Sequence, residues 1–404
     1  MTTRLLMTAD AVGGVWQYAT ELASALVPHG VETTIAVLGP PDNLPLPFRG
    51  EGRSGAAARE RGSHGDVSVS GTAPLPRGER EMEIIPTNLP LDWLSSGPDP
   101  VLAAGEAVAQ LARDLRADIV HLNSPTLAAR ARFDQPVVAV AHGCVATWWR
   151  AAHNGDPDPG YGWQADLMRA GLLAADTAVA PSASFAADLQ RTYALPIAPL
   201  AIHNGRTPPS PPRGEGAERS EAGEGLSATP APHALTAGRL WDRVKNTHVL
   251  DRAAARLSVP LGAAGPVTGP HGETVTPEHL HLLGHLSADQ IAAELARQPV
   301  FVSAASFEPF GLAVLEAAQA GCALVLSDIP TFRELWDGAA LFVPHDNDAA
   351  IAAVIEELIA DPIQRKALGF AARERAARYT PQGTAAAMAA LYADLARSDR
   401  RAAA

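Results

Sequence analysis

The sequence predicts two consecutive doubly wound α/β domains. Short apolar runs alternate with amphipathic stretches of helical spacing from end to end, as strands covered by helices on both faces require. That rhythm lapses near the middle of the chain and restarts. At 404 residues the chain is too long for one small domain and suits two or three.

Residues 5–7 open the chain as a strand, and 15–26 follow as a helix with Trp16, Ala19, Leu22, Ala23 and Leu26 on one face. Pro28-His29-Gly30 ends that helix, and Val31–Leu38 reads as the second strand. Residues 84–85, 118–120, 137–141 and Thr177–Ala180 are further buried-strand candidates. After the restart, 233–237, 280–283, Val300–Ser303, Ala323–Ser327 and Leu341–Val343 form a second strand set. Helices are expected over 247–257, 288–297 and 312–320. The join falls within 200–207, giving a first domain over 1–200 and a second over 201–379. A last helix over about 381–398, within 380–404, carries Ala385, Met388, Leu391 and Leu395 at helical spacing and is expected to cross back to the first domain. Residues 49–81 and 207–232 break the rhythm. They are rich in Gly, Glu, Arg, Ser or Pro, share the tetrapeptide Arg-Gly-Glu-Gly, and read as disordered surface insertions.

Composition narrows the function. Hydrophobic residues make up 47% and charged residues 19%, an ordinary globular balance. The net charge of −12, with no Lys/Arg-rich run, disfavours nucleic acid as a partner. An anionic ligand must therefore be held by a few local cations and main-chain N–H groups. Cys144 and Cys322 lie far apart without CxxC spacing, so reduced thiols and a cytoplasmic setting are expected, with no zinc site. The apolar N-terminal stretch is too short for a signal peptide, and no window is apolar enough to span a bilayer. Peripheral contact with a membrane surface stays open.

The densest local signal is Ser306-Phe307-Glu308-Pro309-Phe310-Gly311-Leu312-Ala313-Val314-Leu315-Glu316-Ala317. It follows the strand Val300–Ser303 and leads into a helix that Gly321 is placed to end. Glu308 then lies at the carboxyl edge of the sheet, where open α/β sheets bind ligands. The N–H groups of Gly311 and Leu312 fall at the helix start and favour an anion. Glu316 is placed to look back toward the same crevice.

Glu308 to Glu316 resembles the E-x7-E motif of the family 4 retaining glycosyltransferases, which have the GT-B fold: two Rossmann-like domains facing across a cleft. The similarity continues in Gly13-Gly14-Val15, Ala141-His142-Gly143, Pro181-Ser182, Asn204-Gly205, Gly238-Arg239-Leu240, Lys245-Asn246, Ser327-Asp328-Ile329-Pro330 and Arg333-Glu334. It covers most of the chain outside the two insertions. The resemblance implies transfer of a sugar from a nucleotide-sugar donor to an unidentified acceptor, with retention, and with neither metal nor cofactor. It implies that Arg239 and Lys245 bind the donor diphosphate, that Glu316 binds the ribose, and that Glu308 touches the transferred sugar and shields its anomeric carbon. His142 would sit beside that sugar from the opposite domain, and Gly13 and Gly14 would allow close approach of main chain to ligand. One departure concerns residues 260–265, where the family usually has a strand ending in a Gly-x-Gly turn near the nucleobase; here the glycines are spaced differently.

Other readings stand beside this one. Trp148, Trp149 and Trp163 suit core or domain-interface packing better than stacking on an acceptor. Asp156-Pro157-Asp158, flanked by Gly155, Pro159 and Gly160, reads as a turn rather than a metal-binding pair. The first loop lacks GxGxxG, which excludes a dinucleotide-dependent dehydrogenase, and no GxSxG elbow suggests a hydrolase. A glycan phosphorylase or sugar-nucleotide epimerase of the same fold, or a nucleotide-sugar-binding protein without turnover, remains open.

Overall fold

The computed structural model describes residues 2–11, 14–39, 82–153, 155, 158–209 and 233–402. Gly13, Asp156, Pro157, the segment 49–81 and residues 210–232 lie outside the described residues, and so do the expectations that rest on them.

Among the described residues the strands form two sheets, and every pairing is parallel. The first holds β1 (Thr3–Asp10), β2 (Val31–Leu38), β3 (Met82–Pro86), β4 (Ile119–Leu122), β5 (Val137–Val140), β6 (Thr177–Ala180) and β7 (Leu200–Ala201), in the order β3-β2-β1-β4-β5-β6-β7. The second holds β8 (Ala234–Ala237), β9 (Leu261–Ala264), β10 (His281–Gly284), β11 (Val300–Ser303), β12 (Ala323–Ser327) and β13 (Leu341–Val343), in the order β10-β9-β8-β11-β12-β13. In each sheet the chain winds from the centre to one edge, returns, and winds to the other. The reversal falls between β1 and β4 in the first sheet and between β8 and β11 in the second. In doubly wound sheets that reversal opens a ligand crevice at the carboxyl ends.

The helices are α1 (Gly14–Leu26), α2 (Pro98–Asp114), α3 (Val145–His153), α4 (Gly162–Ala174), α5 (Ala183–Tyr193), α6 (Thr247–Ala254), α7 (Ala288–Ala296), α8 (Leu312–Gln319), α9 (Pro330–Trp336), α10 (Asp348–Ala360), α11 (Pro362–Ala376) and α12 (Pro381–Ala402). β1 explains why the strands read as unbroken apolar runs. Its Leu5, Met7 and Ala9 pack with Trp16, Ala19 and Leu22 of α1, whereas Leu6 faces the other way, onto Ala36, Leu38 and Val108. Both faces are dry, and each fully buried leucine contributes roughly 1.5–3 kcal/mol. The predicted face of α1 (Trp16, Ala19, Leu22, Ala23, Leu26) is buried throughout. α12 lies along α1 and places Ala385, Met388 and Tyr392 in the first sheet's core, with Leu391 and Leu395 at its margin.

β7 and β9 lie outside the strands expected from the sequence. β7 is two residues long. β9 reads Leu-Gly-Ala-Ala, small residues that give little strand signal on their own. Its place between β8 and β10, buried along its length, comes from the sheet around it. No helix among the described residues is long and apolar enough to cross a membrane.

Candidate active site

At the carboxyl end of β11 the chain turns through 304–311 into α8. Gly311 makes the last step at φ +92°, a region that side chains with a Cβ avoid, and an added Cβ would stand 3.3 Å from Glu308 Cγ. The turn presents Glu308, whose Oε2 accepts a 2.5 Å hydrogen bond from Lys245 Nζ. Lys245 comes from the turn after β8, the strand beside β11 at the reversal point. The main chain docks that turn on the Glu308 loop: Ser306 N donates to Val244 O at 2.9 Å, and Asn246 Nδ2 donates to Ala304 O at 2.8 Å.

The buried carboxylate of Asp242 organises the same turn. It accepts from Arg239 Nη2 at 2.9 Å and, across the cleft, from Trp148 Nε1 at 2.8 Å. Trp148 is thus a domain-interface residue, as the sequence favoured. Arg239 keeps its guanidinium 61% exposed and 5.6 Å from the ring centre of Trp241. The glycine spacing at 260–265 resolves into β9 followed directly by Gly265, where φ is +136° and an added Cβ would lie 1.8 Å from Gly238 O. The strand is present after all, and that glycine lets the Arg239 turn settle against it.

Glu316, one turn inside α8, is not left free. Arg206 Nε hydrogen-bonds its Oε1, while Arg206 Nη1 donates to Glu21 Oε1 of α1 at 3.2 Å. Arg206 lies in the segment joining the sheets, right after Asn204-Gly205, and sequence reasoning gave it no part. Gly14 closes the cleft from the first-sheet side: an added Cβ would meet Leu312 Cδ1 at 3.3 Å, at the start of α8. Gly13 lies outside the described residues.

His142 follows β5 on the first-sheet side. Its Nε2 lies 2.7 Å from Asn123 Oδ1, which is also 3.0 Å from His121 Nε2; His121 Nδ1 lies 2.6 Å from Tyr392 OH on α12. Burial, with some repulsion from His121, pushes His142 down to about 3. At the same edge burial and the Asp92 carboxylate push Asp10 up to about 7, although Trp93 Nε1 donates to it at 3.3 Å. Asn123, His121, Tyr392 and Asp10 carried no signal in the sequence.

The two sheets are fastened where motif residues without an assigned role stand. Ser182 Oγ donates to Pro309 O at 2.7 Å, beside Glu308. Glu334 accepts from Ala183 N at 2.9 Å, Ser184 N at 2.7 Å and Ser184 Oγ at 2.6 Å, at the N-terminus of α5, and pairs with His203 at 3.1 Å. Burial works against that carboxylate, but the bonds from His203, Ser184 and the main chain outweigh it and hold it down to about 2.

Known families match this arrangement. The model described as Glycosyltransferase Family 4 matches residues 12–206, and the model described as Glycosyl transferases group 1 matches residues 273–375. The α-maltose-1-phosphate synthase of Mycolicibacterium smegmatis is 28% identical over 320 residues, covering 69% of this chain and 81% of that protein. The sucrose-phosphate synthase of Thermosynechococcus elongatus superposes with a TM-score of 0.73 at 17% identity, covering 98% of this chain and all of its own. Anabaena HepE, solved in complex with UDP-glucose, gives a TM-score of 0.64 at 14% identity, covering 97% of this chain and 99% of its own. The structural likenesses fix the fold as GT-B, and the two models, in chain order over the two sheets, make this chain a member of glycosyltransferase family 4.

Proposed function

We propose that the chain is a retaining hexosyltransferase that draws on a nucleotide-sugar donor and needs no divalent metal. One observation carries the reading: Lys245 and Glu308 pair at the reversal point of the second sheet, beside Arg239 and the start of α8. Departure of the leaving group puts negative charge on the donor phosphate. The Lys245 ammonium, the exposed Arg239 fork and the N–H groups of Gly311 and Leu312 stabilise that charge without a metal. Glu308 shares one oxygen with Lys245 and turns the other to sugar hydroxyls and to positive charge at the anomeric carbon. Glu316, aligned by Arg206, takes the ribose diol. His142 flanks the transferred sugar from the first sheet, and Gly14 lets main chain come close.

HepE was solved with UDP-glucose, which supports a nucleotide-sugar donor. The acceptor is a glycan, a lipid or a small molecule. The free Cys144 and Cys322 favour a cytoplasmic setting.

The test incubates the protein with a panel of nucleotide-sugars, with and without candidate acceptors, in EDTA, and assigns the product anomer by NMR. Transfer with the donor's anomeric configuration is expected. An inverted product would remove retention, and abolition by EDTA would remove metal independence. Turnover only with inorganic phosphate would identify a phosphorylase, and an isomerised donor an epimerase.

A further inference from the structure

Asn123 stands one residue past β4, at the reversal point of the first sheet. Two bonds fix it to β1: its main-chain N–H donates to Thr8 Oγ1 at 3.0 Å, and its side-chain nitrogen donates to Thr8 O at 2.7 Å. A carbonyl only accepts, so the amide end facing Thr8 must be the NH2 group. The other end, Oδ1, is then purely an acceptor, and two imidazole nitrogens reach it: His142 Nε2 at 2.7 Å and His121 Nε2 at 3.0 Å. Both must donate, so both rings carry a proton on Nε2.

Burial keeps both rings neutral, pushing His142 down to about 3 and His121 to about 4, the latter against the opposing bond to Asn123. A neutral ring protonated at Nε2 has a bare lone pair on Nδ1. In His121 that lone pair accepts from Tyr392 OH at 2.6 Å. In His142 no described residue hydrogen-bonds Nδ1.

We infer that Asn123 is a positioning residue for His142: by holding the proton on Nε2 it fixes Nδ1 as an acceptor, so the donor must offer a hydroxyl there, and a nucleotide-sugar with a carboxylate in that place (a uronic acid) is refused. A carboxylate oxygen has no proton to give, and it would face a lone pair in a setting that resists protonating the ring. A site built for a hydroxyl commonly rejects a ligand that leaves it unpaired by a hundredfold or more. The choice of ligand rests on the function proposed above; the proton assignment does not.

Two measurements test this. The first is an NMR spectrum of protein labelled with 15N in histidine only, with His142 identified by its loss in His142→Gln. One tautomer, protonated at Nε2, is expected from neutral pH down to about pH 5. A proton on Nδ1, or a doubly protonated ring in that range, would overturn the assignment. The second is calorimetric binding of a nucleotide-hexose and the matching nucleotide-uronate. The hexose is expected to bind about 100-fold more tightly, with the gap shrinking below roughly tenfold in Asn123→Ser as His142 samples both tautomers. A wild-type preference under tenfold would refute the selectivity. Should Asn123→Ser fail to fold, the wild-type spectrum and the wild-type preference still decide. If neither compound binds, the nucleotide-sugar reading falls and the selectivity with it, while the NMR result stands.

Discussion

The two faces of the cleft hold their polar groups in opposite ways. On the second-sheet face the groups are charged and partly wet: Arg239 is 61% exposed, and Lys245 and Glu308 meet with 23% and 17% of their side-chain surface exposed. On the first-sheet face the histidines are held neutral: His121 and Tyr392 are all but inaccessible, His142 is partly buried and pushed far below its usual range, and Asp10 is raised to about 7. The difference fits the two ends of the proposed donor. A diphosphate carries full charges and is met by cations and a helix start. A sugar ring carries hydroxyls and is met by histidines whose donor and acceptor roles hold from neutral pH down to about pH 5.

The comparison is most sharply broken at Glu308. Glu308→Gln keeps the shape and removes the charge, and kcat should fall by about 100- to 1,000-fold while the thermal melt stays in place. A near-normal kcat would remove Glu308 from the reaction. Lys245→Ala comes next: kcat/KM should fall roughly 10- to 100-fold, the loss of one charge-assisted bond, with partial recovery in Lys245→Arg. Equal kinetics in all three proteins would mean the diphosphate is held elsewhere.

The first-sheet face should show itself through pH. His121 and His142 titrate below the usual 6.5 of histidine, so as pH falls the unfolded chain takes up protons before the folded one. The two rings contribute stability that is full above about pH 6.5 and falls by about 2 kcal/mol for each at pH 5, while Asp10, raised to about 7, takes up its proton first in the folded chain and works in the opposite direction. Urea melts near pH 7 and pH 5 read this, and His121→Gln should reduce the slope. An unchanged slope would mean that these rings do not hold the neutral form. The smallest effect is expected at the fastening between the faces. Ser182→Ala removes the bond to Pro309 O and the cap that Ser182 Oγ gives Phe185 N at the start of α5, and should cost about 1–2 kcal/mol, with kcat reduced a few-fold as the Glu308 loop loosens. A variant with unaltered melt and kcat would show that this bond does not steady the loop.

Much of this was legible in the residues. Val31–Leu38, Thr177–Ala180, Val300–Ser303, Ala323–Ser327 and Leu341–Val343 are strands with the bounds the apolar runs suggested. Glu308, Gly311 and Leu312 fall on a strand-turn-helix whose parts are contiguous, so the crevice loop could be placed without coordinates. β9 could not, because Leu-Gly-Ala-Ala becomes a strand only with β8 and β10 on either side. Arg206, Asn123, Ser182 and Glu334 could not be given roles either. Their partners lie far along the chain: Arg206 and Glu316 are 110 residues apart, Ser182 and Pro309 127, and His121 and Tyr392 271.

By itself the sequence determined the alternating α/β layout, the loop that carries Glu308 and the balance of charge around it. Such features follow from apolar periodicity, turn glycines and helix starts, which act over a few neighbouring residues. Only the tertiary structure decided that Lys245 reaches Glu308, that Arg206 takes up Glu316, and that an asparagine between two histidines sets which nitrogen keeps a proton. Those are through-space pairings. A hydrogen bond is made or missed over about an ångström, and no local preference of the chain sets a distance between residues that far apart until the two sheets have packed.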